Sequence, residues 1–416
     1  MKSNYKRLGD YIKPVREKNI DLKASKLLGI NIDKFFMPSV ANVVGTDMSN
    51  YKIVKKGQFA CNRMHVGRDY RIPIALSKEE NPFMVSPAYD VFEINNTKML
   101  LPEYLMMWFT RKEFDRNCWF HTDADVRGGL PWNAFCDLEL PIPSPEKQQE
   151  IVQEYHTIQN RIALNNQLIN KLEETAQAIY KQWFVEFEFP DVNGLPYRSN
   201  DGKMVWCKEL EKEIPEGWRM GDLDEVIQIF ISKRGKSKST MNLNDFSHEY
   251  KYPVISAMNV SQGKIVKLNT IPYINQIEFD EWMNVKLQVD DVIMTSEAPM
   301  GELYYLAIND KFALSQRLFA LRTKKDIISG WYLYQWLNLP FTKNELETRS
   351  SGTTVFGIKL SELKKLSILI PLKNIITEFE RITLSSSNLI ELKNTENQKL
   401  SELKDLLLAK MTRVEN

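Results

Sequence analysis

The chain has 416 residues, 43% hydrophobic and 11% aromatic, which excludes a disordered protein and predicts about two domains at roughly 150 residues each. No apolar run approaches the ~20 residues of a membrane helix. The opening Met1-Lys-Ser-Asn-Tyr-Lys-Arg leads into no signal sequence, and Cys61, Cys118, Cys136 and Cys207 lack paired spacing; reduced thiols and a cytoplasmic location are expected. The net charge is +1, and residues 1–145 carry 21 Lys/Arg against 17 Asp/Glu, a bias that permits nucleic acid as a partner without requiring it.

In chain order, residues 1–145 read as a first globular α/β-type domain. Its strands are short and alternating, as in Val91-Phe-Glu-Ile94, and are bounded by Gly, Pro and Asn. Arg63-Met-His65-Val-Gly67-Arg68-Asp-Tyr-Arg71 gathers three arginines and a histidine in a predicted loop. A short helix is predicted over Leu101–Phe114, packed through Trp108. Arg127 then precedes Gly128-Gly129, and an apolar strand ends at Pro143.

Residues 146–188 form a first long helix. Ile151, Tyr155, Ile158, Ile162, Asn165, Ile169, Leu172, Ala176, Ile179 and Trp183 follow 4-3-4-3 spacing. That is a coiled-coil seam, with Asn165 as a polar interruption that fixes register. Residues 189–215, rich in Gly, Pro, Asn and Asp, read as a linker. A second globular domain over 216–373 holds the basic segment Lys233-Arg234-Gly-Lys236-Ser-Lys238-Ser239, the strand Val292–Thr295, a helix over Trp331–Leu346 packed through Trp336, and Thr353-Thr354 beside Gly352. A second long helix follows at 374–416. Its stripe runs through Phe379, Ile382, Leu389, Leu392, Leu400, Leu403 and Leu407. Each helix would extend roughly 60 Å at 1.5 Å per residue, and the two stripes are expected to bury each other as an antiparallel pair.

The two halves repeat one plan. Tyr104-Leu-Met-Met-Trp108 returns as Tyr332-Leu-Tyr-Gln-Trp336, Pro143 as Pro371, Glu150-Ile151 as Glu378-Phe379, and Leu172 as Leu400, all 228 residues apart. Earlier matches drift. Leu8-Gly-Asp10 faces Met220-Gly-Asp222, Ser39 through Val43 faces Ser256 through Val260, and Lys56-Gly-Gln-Phe59 faces Val289-Asp-Asp-Val292. Length changes therefore fall in the globular parts while the helical ends keep their length, as when variable contact loops are carried on a fixed frame.

No catalytic constellation is visible. Gly235-Lys236-Ser237 ends like a phosphate-binding loop, but Phe230 stands where that loop needs glycine. His65, His121, His156 and His248 show no metal-ligand spacing with one another or with the cysteines. Asn81-Pro82-Phe83 lacks the second proline of an adenine-methyltransferase motif. Binding residues are better represented: Arg63, His65, Arg68 and Arg71 in one domain, and Lys233, Arg234, Lys236 and Lys238 in the other, suit phosphate contacts, and arginine also grips guanine edges. A solvated basic loop explains either cluster alone; their recurrence in the variable part of both repeats favours binding. Arg127, Thr353 and Thr354 are further candidates.

Taken together, the chain resembles the specificity (S) subunit of type I restriction–modification systems. The resemblance rests on the two-fold repeat, Pro143-Ser-Pro-Glu-Lys-Gln-Gln-Glu-Ile151, Ile179-Tyr-Lys-Gln-Trp-Phe-Val-Glu-Phe-Glu-Phe189, Gly202–Trp206 through Ile214–Trp218, Ile293–Gly301, and Leu314-Ser-Gln-Arg-Leu-Phe319. The second copy departs at Pro371-Leu-Lys-Asn-Ile-Ile-Thr377, which lacks the glutamine. The resemblance implies an α+β protein with a pseudo-two-fold internal repeat: two target-recognition domains joined by two long helices in an antiparallel coiled coil. It implies that each domain reads half of a split double-stranded DNA target. The helices, paired along a partner/coiled-coil seam that includes Ile158, Ile162, Asn165, Ile169, Leu172, Leu389, Leu400 and Leu403, would set the gap and dock two methyltransferase (M) subunits. Restriction (R) subunits complete such complexes. The chain itself would be no enzyme and would hold no metal or cofactor, S-adenosylmethionine residing in the M subunits. A coiled-coil scaffold for protein partners is the alternative; it explains the helices but not the basic clusters in variable loops.

Overall fold

The computed structural model describes residues 5–39, 45–123, 128–233, 252–308, 311–352 and 356–413. The chain divides into two compact units, Met1–Leu164 with Glu396–Asn416, and Asn165–Thr395, so each unit takes one part of each long helix. The fold is α+β, and the repeat in sequence is a repeat in topology. In the first unit a four-stranded antiparallel sheet has the order Ile12–Val15, Asp90–Ile94, Phe59–Cys61, Ile74–Leu76. In the second unit, Ile227–Ser232, Leu318–Thr323, Val292–Thr295 and Leu303–Tyr305 lie in the same order. The β-branched and aromatic residues that favour pleated backbone are buried in these strands, Val292–Thr295 throughout.

A two-stranded ribbon closes each domain, Tyr5–Arg7 with Glu139–Pro141 and Arg219–Asp222 with Ser367–Ile370. Against it lies the helix bearing the repeated tyrosine. The Tyr104 hydroxyl donates to the Pro141 carbonyl at 3.1 Å and the Tyr332 hydroxyl to the Leu369 carbonyl at 2.8 Å. Both tyrosines are fully buried, so these bonds satisfy hydroxyls that water cannot reach.

The helices predicted over Leu101–Phe114 and Trp331–Leu346 are each two helices, Pro102–Phe109 with Lys112–Phe120, and Gly330–Asn338 with Pro340–Thr348. Pro340 has no amide hydrogen to continue the first turn of helix. In the first unit the break falls at Arg111, whose extended backbone lets its guanidinium lie 4.1 Å from the Trp108 ring. Residues 189–215 also carry more structure than a linker needs. Met204–Cys207 pairs with Lys212–Pro215, and Phe189 stacks on Trp218 at 5.1 Å within the second unit's core.

The long helices run over Pro145–Tyr180, continued by one wide turn at Lys181–Val185, and over Lys373–Lys410. Pro145 occupies the first helical position, where its missing amide hydrogen costs nothing, and Ser144 Oγ accepts from Lys147 N at 3.3 Å. In the first unit Ile151, Tyr155 and Ile158 share a core with Leu407, Leu408 and Met411, and Arg161 pairs with Glu396 at 2.6 Å. In the second unit Tyr180 and Trp183 pack on Phe379 with ring centroids 5.8 and 6.0 Å away. The start of one helix thus meets the end of the other in each unit, which is antiparallel pairing.

On the first helix Ile158, Asn165 and Ile169 are buried, while Ile162 and Leu172 are half-buried. On the second, Leu389 and Leu400 are half-buried and Leu403 is 45% exposed. The second helix buries Thr383 and Ser387 in place of Ile382 and Leu392. Ile376 and Phe379, held in the aromatic core, set its rotation, and Trp331 Nε1 donates to Thr383 Oγ1 at 3.0 Å, so a hydroxyl is wanted at the seam.

Gln148, in the Gln-Gln pair of the first copy, is fully buried. It accepts from Leu101 N at 2.8 Å and donates to the Met99 and Pro143 carbonyls at 2.8 and 2.9 Å. Ile376 holds the corresponding place in the second copy, and there Ser329 Oγ caps the next helix at Tyr332 N, 3.1 Å away. Gln148→Leu is expected to destabilise the first unit by ~1–3 kcal/mol, since the Leu101 amide and the Met99 and Pro143 carbonyls lose a fully buried partner. A urea midpoint equal to that of the parent chain would show that these bonds do not hold helix to domain.

Candidate nucleic-acid interface

In the first unit the basic loop follows the central strand Phe59–Cys61 and meets the segment after residue 127. Gly67 N donates to Gly128 O at 2.8 Å, and Leu130 N donates to Arg63 O at 2.9 Å. A Cβ on either glycine would stand 2.7 Å from the other's Cα, and Gly128 has φ +59°, so only glycine allows this crossing of two backbones. His65 opens the single helical turn Val66–Asp69, which ends at Tyr70 with φ +54°.

The arginines have different surroundings. Arg63 Nε lies 2.7 Å from Asp90 Oδ2, its Nη1 donates to the Leu130 carbonyl, and its guanidinium sits 5.5 Å from the Trp132 ring centroid. Arg68 is exposed and pairs with Asp69 at 2.7 Å; this hydrogen bond raises the arginine's pKa and lowers that of the carboxyl. Arg71 reaches Asp33 at 3.0 Å and Asp115 at 3.7 Å. Asp115 is the anchor of this loop. It accepts from Ile72 N at 3.1 Å and holds the buried Lys34 ammonium at 2.7 Å, whose pKa burial lowers while Asp115 opposes the shift.

Exposed aromatic rings border the same loop. Tyr70 meets Trp119 edge-on at 5.3 Å, and Phe120 is 79% exposed at the end of the same helix as Trp119. Rings left in water are suited to sugar and base faces, and the arginines beside them to phosphate.

The second unit repeats the crossing with different side chains. Its central strand Val292–Thr295 leads into Ser296–Gly301, where Ile358 N donates to Ser296 O at 2.9 Å and Glu297 bridges Gly357. The pair Leu130–Arg63 is thereby replaced by Ile358–Ser296. Arg317, with φ +68°, places Nε 3.2 Å from Glu297 Oε1. Phe356 is 60% exposed beside the crossing. Behind the strand, Arg322 is buried and held by both oxygens of Asp291 at 2.8 Å, which ties it to the frame.

The family model for the type I restriction modification DNA specificity domain matches residues 215–402, most of the second copy of the repeat. The specificity subunit of the type I restriction enzyme HindI from Haemophilus influenzae is 22% identical over 91% of each chain. That of MjaIX from Methanocaldococcus jannaschii is 22% identical over 75% of this chain and 68% of its own. The crystal structure of a type I restriction–modification S subunit from M. genitalium shares the fold at a TM-score of 0.56 and 13% identity, covering 98% of this chain and 95% of that one. The chain is similar to type I specificity subunits over most of its length, and it shares their fold.

The structure gathers Arg63, His65, Arg68 and Arg71 on one loop and leaves Lys233, half-buried, at the end of the strand Ile227–Ser232. Arg127, Arg234, Lys236, Lys238, Thr353 and Thr354 lie outside the described residues. Sequence reasoning missed Tyr70, Trp119 and Phe120, which no charge pattern marks. It also missed Arg317 and Glu297, which lie 20 residues apart in sequence. Ile293–Gly301 and Leu314–Phe319 stand out in the sequence as motifs of the resemblance, but nothing in them marks Glu297 and Arg317 as neighbours. Among the described residues no helix is long and apolar enough to cross a membrane.

Proposed function

We propose that this chain is the non-catalytic DNA-reading subunit of a type I complex, and that each unit reads one half of a bipartite duplex target. The observation that carries this reading is the repeated backbone crossing: one frame, hydrogen-bonded alike at Leu130–Arg63 and Ile358–Ser296, presents different side chains in the two units. A shared frame with different loops fits two unlike half-sites. Arg68 and Arg71 exchange their carboxylate partners for phosphates, and the rings beside them pack on the sugar edge. Arg317, exchanging Glu297 for a phosphate, and Phe356 do the corresponding work in the second unit. The long helices act as spacer between half-sites roughly one turn, about 34 Å, apart.

The same helices dock the M subunits. Leu164, Leu403 and Leu406 are 61, 45 and 60% exposed in the first unit, and Leu392 is 57% exposed in the second. Leucines left in water on a coiled coil support a protein partner there. S-adenosylmethionine and adenine methylation belong to the M subunits, and cleavage to R subunits.

Titration of target duplex against the complex with M subunits, at several salt concentrations, tests the assignment. Arg68→Ala and Arg71→Ala are each expected to weaken binding to all sequences and to lower the salt slope by about one. Arg63→Ala, which removes bonds inside the domain, is expected to cost ~1–3 kcal/mol of stability and to leave the slope unchanged. Salt slopes identical to the parent in both exposed variants would remove this loop from the interface.

A further inference from the structure

A cavity of about 290 Å³ lies wholly within the second unit, bordered by parts of both long helices and by the domain. Part of its wall is aromatic. Trp331 and Tyr334 stack at 5.4 Å with their rings 11° apart, and Tyr305 packs on both, 5.0 and 6.0 Å away. Carboxylates come from three directions in sequence: Glu173 on the first helix, Glu391 on the second, and Glu302 ahead of the strand Leu303–Tyr305. Glu302 accepts from Gln262 N at 2.6 Å. Burial pushes the Glu173 carboxyl above its ordinary range, with Lys264 drawing it back.

Gln335 also lines the cavity. It is 95% buried, its relative exposure being 5%, and its carboxamide makes no hydrogen bond to a described residue. Its amide borders the cavity, so a ligand seated there can take up the bonds that the protein does not supply. Gly263 keeps the neighbouring turn close to the cavity wall, since a Cβ there would stand 2.7 Å from Tyr334 Oη. Among the described residues of the lining Lys343 is the one cation, and its side chain is exposed.

We propose that this cavity binds a small organic cation through an alkylammonium or guanidinium group. Aromatic faces attract such groups, the carboxylates neutralise them, and Gln335 Oε1 accepts one of their hydrogens. An anion would meet three carboxylates. The volume suits a linear polyamine or the end of a lysine or arginine side chain, and once seated the cation ties both helices to the helix Gly330–Asn338.

The test is calorimetric titration of the full chain with spermidine and with N-acetyl-lysine amide, on the parent and on Glu173→Gln and Gln335→Leu. One cation per chain should bind, at least tenfold more weakly in each variant, while circular dichroism and urea midpoints show each variant folded. Spermidine at least tenfold tighter than the lysine amide identifies a free polyamine as the ligand; equal affinities identify a single side-chain ammonium from a protein. Absence of binding of both cations to the folded parent, or affinities unchanged in both variants, would overturn the proposal.

Discussion

Asp115→Leu is expected to destabilise the first unit by ~3–5 kcal/mol, because it strands the buried Lys34 ammonium without its counter-ion. Side-chain exposures of 2% for Lys34 and 9% for Asp115 leave no water to take the carboxylate's place. Ile72 N loses its acceptor in the same substitution, and Arg71 loses its second carboxylate. The loss should therefore appear in two readouts, a lower urea midpoint and weaker binding of target DNA by the complex. The double variant Lys34→Met with Asp115→Leu should recover most of the stability, since apolar groups of similar volume replace a buried pair at little cost. Recovery of stability without recovery of DNA binding would assign Asp115 a positioning role for the basic loop. A single variant within 1 kcal/mol of the parent chain would contradict the anchoring described above.

Gly128→Val is expected to reduce modification of the cognate target by tenfold to a hundredfold. Its Cβ would enter the space of the Gly67 Cα, 2.7 Å away, and valine strongly disfavours the φ of +59° found there. The two backbones must separate, which displaces Arg68 and Tyr70 from the places the crossing gives them. Misplacing contacts to a single base pair costs ~1–3 kcal/mol, which is the size of the expected loss. Gly129→Val is the control, because its Cβ would meet only the Arg63 carbonyl at 3.9 Å. Equal modification rates in both variants would contradict the role of the crossing.

The architecture was legible in the sequence because it rests on periodic burial. The 4-3-4-3 seam through Ile151, Tyr155 and Ile158 is set by one helix turning against another, and the recurrence of Tyr104 at Tyr332 reports a buried hydroxyl with one carbonyl to satisfy. Two features escaped. The second helix buries Thr383 and Ser387, polar residues that join a seam only because Trp331 and the aromatic core are there to meet them. The helix breaks at Arg111 and at Pro340 differ in cause, and only the proline is visible without tertiary structure. The basic loop was legible as charge but not as geometry. Nothing in the spacing of Arg63, Arg68 and Arg71 says that the first is tied to Asp90 and Leu130 while the others face outward. The aromatic border was hidden for a related reason, since Tyr70 and Trp119 are brought together by the fold across 49 residues of chain.

The most direct measurement is a genome-wide map of methylated adenines made by this chain with the proposed M subunits, before and after residues 216–373 are replaced by the equivalent domain of a type I specificity subunit. The predicted result is one split motif in the parent, and in the exchange a motif that keeps one half and the gap while its other half changes. A motif that changes in both halves, or that does not change at all, would contradict the reading of one half-site per unit.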